Sequence, residues 1–188
     1  HERSVFCKVE VINIINKAAT VTLSKVTATA SNNAVMIATS AGAANVTING
    51  CNFTGLAVVN VAGAESNVAI KNSTITNVDA STSEQYGAIT VWSSAKAAEV
   101  NVENTEINVA DDSKKAYVFP GDAIVNGVDD VHYIVATIGD GGYETLAGAI
   151  GSAKTGDVIA LVRDITSSAI ITIDKAITLN GNGKKLTS

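Results

Sequence analysis

The chain has 188 residues, a net charge of −5 and no basic run, which argues against nucleic acid or an anionic membrane as partner. Hydrophobic residues make up 46% but aromatics only 4%, so stacked aliphatic layers, not rings, must fill the core. At this length one domain is expected, and no apolar run approaches the ~20 residues of a membrane span.

The chain opens with His1 instead of Met and shows no signal peptide, so it reads as a processed form or an excised fragment. Cys7 and Cys51 are too few for a disulfide framework and are expected to be buried free thiols. After "VEVINI" (Val9 to Ile14), a motif recurs: "VTLSKVTA" from Val21, "VTINGCNF" from Val46, "VAIKNSTI" from Val68 and "VNVENTEI" from Val100. The starts lie 25, 22 and 32 residues apart. Each copy is aliphatic at its first and third positions and apolar at its eighth, where Ala28, Phe53, Ile75 and Ile107 stand. Three copies are preceded by another apolar strand: "AVMIA" (Ala34 to Ala38), "AVVNV" (Ala57 to Val61) and "AITVW" (Ala88 to Trp92).

Strand, turn, strand, tight turn and short strand make one coil of a right-handed parallel β-helix. The expected inward columns are Val21, Val46, Val68, Val100 and Leu23, Ile48, Ile70, Val102. Asn49, Asn72 and Asn104 mark the tight turn, where Asn tolerates left-handed angles and can bond to the Asn above it. A β-sandwich would also use many short strands, but it needs hairpin signals. The Asn-Gly pairs at 49–50 and 126–127 are the candidates of note, and the first lies inside the repeat.

The chain therefore reads as a single β-helix domain over 1–188, with stacked coils over 1–109. Over 110–142 irregular strands and loops are expected, including "AYVF" and "HYIVATI". Over 143–188 a helix precedes more coil-forming strands. Leu146, Ala149, Ile150 and Ala153 fall at helical spacing, predicting one short capping or side helix over about 144–155 with Gly156 terminating it. "DVIALV", "AIITI" and "AITL" then resume short strands before the turn "NGNGKK".

This last quarter, "GYETLAGAIGSAKTGDVIALVRDI…ITIDKAITLNGNGKKLT", resembles the opening of β-helix domains in large microbial surface and adhesin-like proteins. Tyr143, Thr145, Leu146, Ala149, Ile150, Gly156, Asp157 and Ile159 carry the resemblance, with the strands ending at Ile173 and Leu179. It implies a pectate-lyase-like fold, the helix capping a first coil with further coils following. Here those coils stand at the amino end, so the order is permuted relative to the family. Either the chain is a slice of a longer repetitive protein, or one copy stacks on the next, head to tail. The second reading assigns a self-assembly interface to Val5, Val9, Val11, Ile12 and Ile14 at one end and Ile171, Ile173, Ile177, Leu179 and Leu186 at the other.

Catalysis is not expected. Asp111, Asp112, Asp129, Asp130 and Asp140 read as solvated loop charges. His132 reads as a surface residue of an alternating strand, and His1 is terminal. Arg3 and Arg163 sit in no lyase motif, Trp92 reads as a lone packing residue, and "GDGG" (Gly139 to Gly142) is an unrepeated match to calcium loops. Three sequons make Asn45, Asn52 and Asn72 candidate glycosylation acceptors. The resulting expectation is a structural subunit of an extracellular filament or surface appendage, partnered by itself, without cofactor or metal. The alternative is a segment of a cell-surface adhesin that binds glycans, with a carbohydrate-active enzyme as the third reading.

Overall fold

The computed structural model describes residues 10–78, 86–110, 115–129, 131–139 and 141–188. Short segments of alternating aliphatic and polar residues become strands, because period-2 alternation gives one face to the core and one to water. The first coil holds β1 (Ile12–Ile14), β2 (Thr20–Ser24) and β3 (Thr27–Thr29). β4 (Val35–Ile37), β5 (Asn45–Asn49) and β6 (Asn52–Gly55) form the second. β7 (Val59–Val61), β8 (Asn67–Lys71) and β9 (Thr74–Asn77) form the third, and β10 (Ile89–Val91), β11 (Glu99–Glu103) and β12 (Glu106–Asn108) the fourth.

Each strand pairs in parallel with its counterpart one coil away, giving three sheets in coil order. This is the layout of a parallel β-helix, as the repeat predicts. The registers match the repeat residue by residue: Val21, Val46, Val68 and Val100 are ladder partners, as are Leu23, Ile48, Ile70 and Val102. Ala28, Phe53, Ile75 and Ile107 form the third column. Phe53, Ile48, Ile70 and Ile75 are fully buried, and each such side chain contributes roughly 1.5–3 kcal/mol relative to exposure.

The stack runs further than the repeat. β13 (Ala116–Val118) and β14 (Ile124–Asn126) start a fifth coil inside the segment expected to be irregular. They pair in parallel with β10 and β11, and β15 (Val131–Tyr133) adds an outer strand to the first sheet.

The tight turns carry positive φ at Lys25, Gly50, Asn72, Asn104 and Gly127, one step beyond the strand ends. Gly50, not Asn49, holds the left-handed position in the second coil. Asn49 still takes part, its Oδ1 accepting from Asn72 Nδ2 at 2.9 Å. A second left-handed column runs through Ala18, Ala43, Glu65 and Ala97, where no Gly or Asn announces it.

A second unit follows. β16 (Ala136–Ile138) pairs antiparallel with β17 (Gly141–Tyr143) and with β18 (Val158–Leu161). Gly139, Gly141 and Gly142 of "GDGG" therefore lie at the hairpin joining β16 to β17, with Asp140 outside the described residues. β18 pairs in parallel with β20 (Thr178–Asn180), and β19 (Ile165–Thr166) with β21 (Leu186–Thr187). The helix α1 spans Leu146–Ser152, shorter than expected, because Thr145 caps its start by accepting from the Gly148 N–H. It ends at the extended Ala153. Gly156 (φ 94°) lies beyond and does not end the helix; its N–H donates to Ala176 O. "AIITI" (Ala169 to Ile173), expected as a strand, makes no ladder pairing among the described residues.

Two aliphatic cores result. The larger fills the coils; the smaller gathers Ala136, Leu146, Ala149, Ile150, Ala153, Ile159 and Leu161. Polar and ring contacts link the units: the Arg163 guanidinium lies 4.5 Å over the Tyr133 ring, and His132 Nδ1 is 2.7 Å from Glu144 Oε1. Tyr133 is held in turn by the Val125 backbone, its hydroxyl donating to the carbonyl and accepting from the N–H, both at 2.8 Å.

Candidate functional site

Parallel stacking satisfies every inner strand on both edges and leaves the outermost ones bonded on one side only. Among the described residues these are β1, β2 and β3 at one end; at the other the three stacked sheets end at β15, β14 and β12, and in the second unit β20 and β21 are the last members of their sheets. Unpaired N–H and C=O groups there are a template for another strand.

The predicted interface residues fall at these two ends. Val5 and Val9 lie outside the described residues. Val11 is 51% exposed, Ile12 is half-buried and Ile14 is buried against the next coil, in register with Ile37. At the other end Ile173 is 48%, Leu179 37% and Leu186 47% exposed, with Ile171 and Ile177 half-buried. The structure adds residues that the sequence reading passed over. Val21 and Leu23, inward on β2, are only half-covered because no coil lies above them among the described residues. Ile15 is 57% exposed, and Ile170 is 94% exposed. The signal for Val21 and Leu23 was present: they head the very columns that the repeat defines.

Of the acidic candidates, Asp129 is exposed, and Asp111, Asp112, Asp130 and Asp140 lie outside the described residues, as do His1, Arg3 and Cys7. Cys51 is buried and unpaired. Among the described residues no group of three His, Cys, Asp or Glu side chains comes together, and no helix is long and apolar enough to cross a membrane. Asn45 and Asn52 are exposed at strand starts, whereas Asn72 is exposed but commits its side-chain N–H to Asn49.

Trp92 is not alone. It stacks on Phe119 (ring centroids 4.4 Å apart, planes 17° apart), with Tyr86 edge-on at 6.1 Å. Tyr117 meets Phe119 edge-on at 5.1 Å, and His132 lies parallel to Tyr117 at 6.3 Å. The cause is coil register. Val91 pairs with Val118, so Trp92 and Phe119, one residue further on, stand over each other. Trp92 Nε1 donates to Asn60 Oδ1 at 2.6 Å, and Asn60 Nδ2 donates to Asn33 Oδ1 at 3.2 Å. This half-exposed strip on the flank of the first sheet corrects the reading of Trp92 as an isolated residue.

Charge is concentrated where the two units meet. Asp122 accepts the Ala97 N–H at 2.7 Å, and that bond holds its pKa below the usual carboxylate value. Burial pulls the Arg163 pKa down, offset by Tyr133 and Asp122. Its Nε and Nη2 are buried and meet no hydrogen-bond acceptor among the described residues.

Among the described residues the molecule is thus a parallel β-helix with partly apolar strand edges at its ends and one aromatic flank. The chain matches no protein-family model, no curated protein and no solved structure at a significant level.

Proposed function

We propose that this protein is a structural subunit of an extracellular filament or surface appendage, assembled head to tail through the ends of its β-helix. The observation that carries this reading is that, among the described residues, parallel strand edges without a partner coincide with exposed aliphatics at both ends: Val11 and Ile15 at one, Ile173, Leu179 and Leu186 at the other. Natural proteins normally cover such edges. Two different surfaces that fit each other make a heterologous contact, which propagates unless rotation closes it into a ring. The resemblance of the Gly142 to Thr187 stretch to openings in microbial surface proteins supports an extracellular setting.

The purified chain is expected to form unbranched fibres by negative-stain electron microscopy, with mass rising over a concentration series in light scattering. A monodisperse monomer throughout that series overturns the reading.

The aromatic strip favours a second reading, a β-helical segment of a surface adhesin that binds glycans. Aromatic rings flanked by amides suit the apolar faces and hydroxyls of sugars. On this reading a glycan array gives hits that Trp92→Ala abolishes while fibre formation persists. Hits unchanged in Trp92→Ala count against the strip.

A further inference from the structure

We infer that, if copies join end to end as proposed above, they do so in one strand register. Ala169 to Ile173 of one subunit lies beside β1 of the next, β20 beside β2, and β21 beside β3. The argument starts from spacing. In the second coil of the stack, the inward residue Phe53 is followed six and eight residues later by Val59 and Val61, the inward residues of the first sheet. In the second unit, Ile165 is followed six and eight residues later by Ile171 and Ile173. The other connections of the stack are longer, as from Ala28 to Val35, and it is this match to the second coil that assigns the Ala169 to Ile173 segment to the place of a first-sheet strand. It makes no ladder pairing among the described residues, leaving Ile173 exposed and Ile171 half-covered.

The sides match in order. Reading along the chain, one end presents this unfilled first-sheet place, then β20, then β21. Among the described residues the other end presents β1, β2 and β3, the strands of the first, second and third sheets. Setting β1 into the unfilled place puts Ile12 and Ile14 on Ile171 and Ile173, as they already sit on the other side against Val35 and Ile37. The same step sets Val21 on Leu179, which caps Ile159, and Ala28 on Leu186, which caps Ile165. Ile12, Ile14, Val21 and Ala28 each meet an aliphatic side chain in this register, while Leu23 falls beside Gly181. Parallel crossovers are right-handed in about 98% of cases, so both ends wind alike. Outward, Asn13 falls beside Thr172 and Thr22 beside Asn180, polar neighbours like Asn101 and Asn126, whose amides bond at 2.9 Å inside the subunit.

Neighbouring strands lie about 4.8 Å apart, within the Cα range of a disulfide, so cysteine pairs test the register. The background carries Cys7→Ala and keeps Cys51, which is buried. Asn13, Thr22, Thr172 and Asn180 are all exposed in the subunit, and circular dichroism confirms folding of each variant. Under mild oxidation, Asn13→Cys with Thr172→Cys, and Thr22→Cys with Asn180→Cys, are expected to give ladders of covalent multimers that reductant collapses. The mismatched pair Thr22→Cys with Thr172→Cys is expected to give none. Fibres that form while the matched pairs fail to cross-link, or while the mismatched pair succeeds, overturn the register and leave end-to-end assembly standing. Variants and parent that all remain monomeric overturn the assembly reading itself.

Discussion

Gly127 and Gly50 share one turn column, with φ of 76° and 64°, yet their surroundings differ. A Cβ at Gly127 would lie 2.0 Å from Val102 O, whereas at Gly50 the nearest atom is the Lys25 side chain at 3.8 Å. Gly127→Ala therefore combines left-handed strain of ~1–2 kcal/mol with a backbone clash, and it is expected to cost more than ~2 kcal/mol. Gly50→Asn, which keeps a residue tolerant of that backbone, is expected to stay within ~0.5 kcal/mol. Urea midpoints at unchanged slope distinguish them. Asp122 adds a pH effect. Its pKa is lower in the folded state, so the stability it contributes is present above the unfolded value and is lost as pH falls through the folded one. Acid denaturation below pH ~4 is expected to be shallower in Asp122→Asn, followed by circular dichroism. At this scale the sequence was only half legible. Asn72 and Asn104 announce their turns, but Ala18, Ala43 and Ala97 hold positive φ that alanine normally avoids. Hydrogen bonds between coils impose it, such as Ala43 N–H to Ala64 O at 2.7 Å.

Among the elements, in-phase valines and isoleucines gave away the coils, because a column repeated four times cannot hide in the pattern. The fifth coil was hidden for the opposite reason. Pro120, Gly121 and scattered Asp residues break the periodicity, and only pairing with β10 and β11 shows that β13 and β14 continue the stack. "AIITI" has strand propensity without a partner strand, and propensity alone makes no ladder. The aromatic strip could not be read from spacing within one motif, since Trp92 and Phe119 meet only through register. The second unit has its own small core of seven buried residues and meets the stack through Arg163, Tyr133, His132 and Glu144. It is expected to open before the coils. Hydrogen exchange should show amides of β16 and β18 exchanging through a lower-energy opening than those of β5 and β8, which have a coil on each side. Equal protection in the two units would contradict this.

For the molecule as a whole, if copies assemble as proposed, apolar burial should drive the contact, with ladder bonds adding only about 0.5–1.5 kcal/mol each. Replacing Leu179 and Leu186 by Lys places charges at an end surface that the subunit leaves exposed, so folding should survive while fibres disappear. Light scattering reads the loss of mass, and circular dichroism the retained fold. Raising the salt concentration is expected to preserve parental fibres, because no ion pair is needed at the junction. The spacing of the coils has a mechanical counterpart. Successive ladder partners Val21, Val46, Val68, Val100 and Val125 stand 25, 22, 32 and 25 residues apart. Under tension from its two ends, the stack is expected to shed one coil at a time. Each would release that many residues at about 3.3–3.6 Å apiece, so a single-molecule trace would show one step visibly longer than its neighbours. An appendage made this way lengthens under load before it parts, and the long third interval, Val68 to Val100, gives most slack.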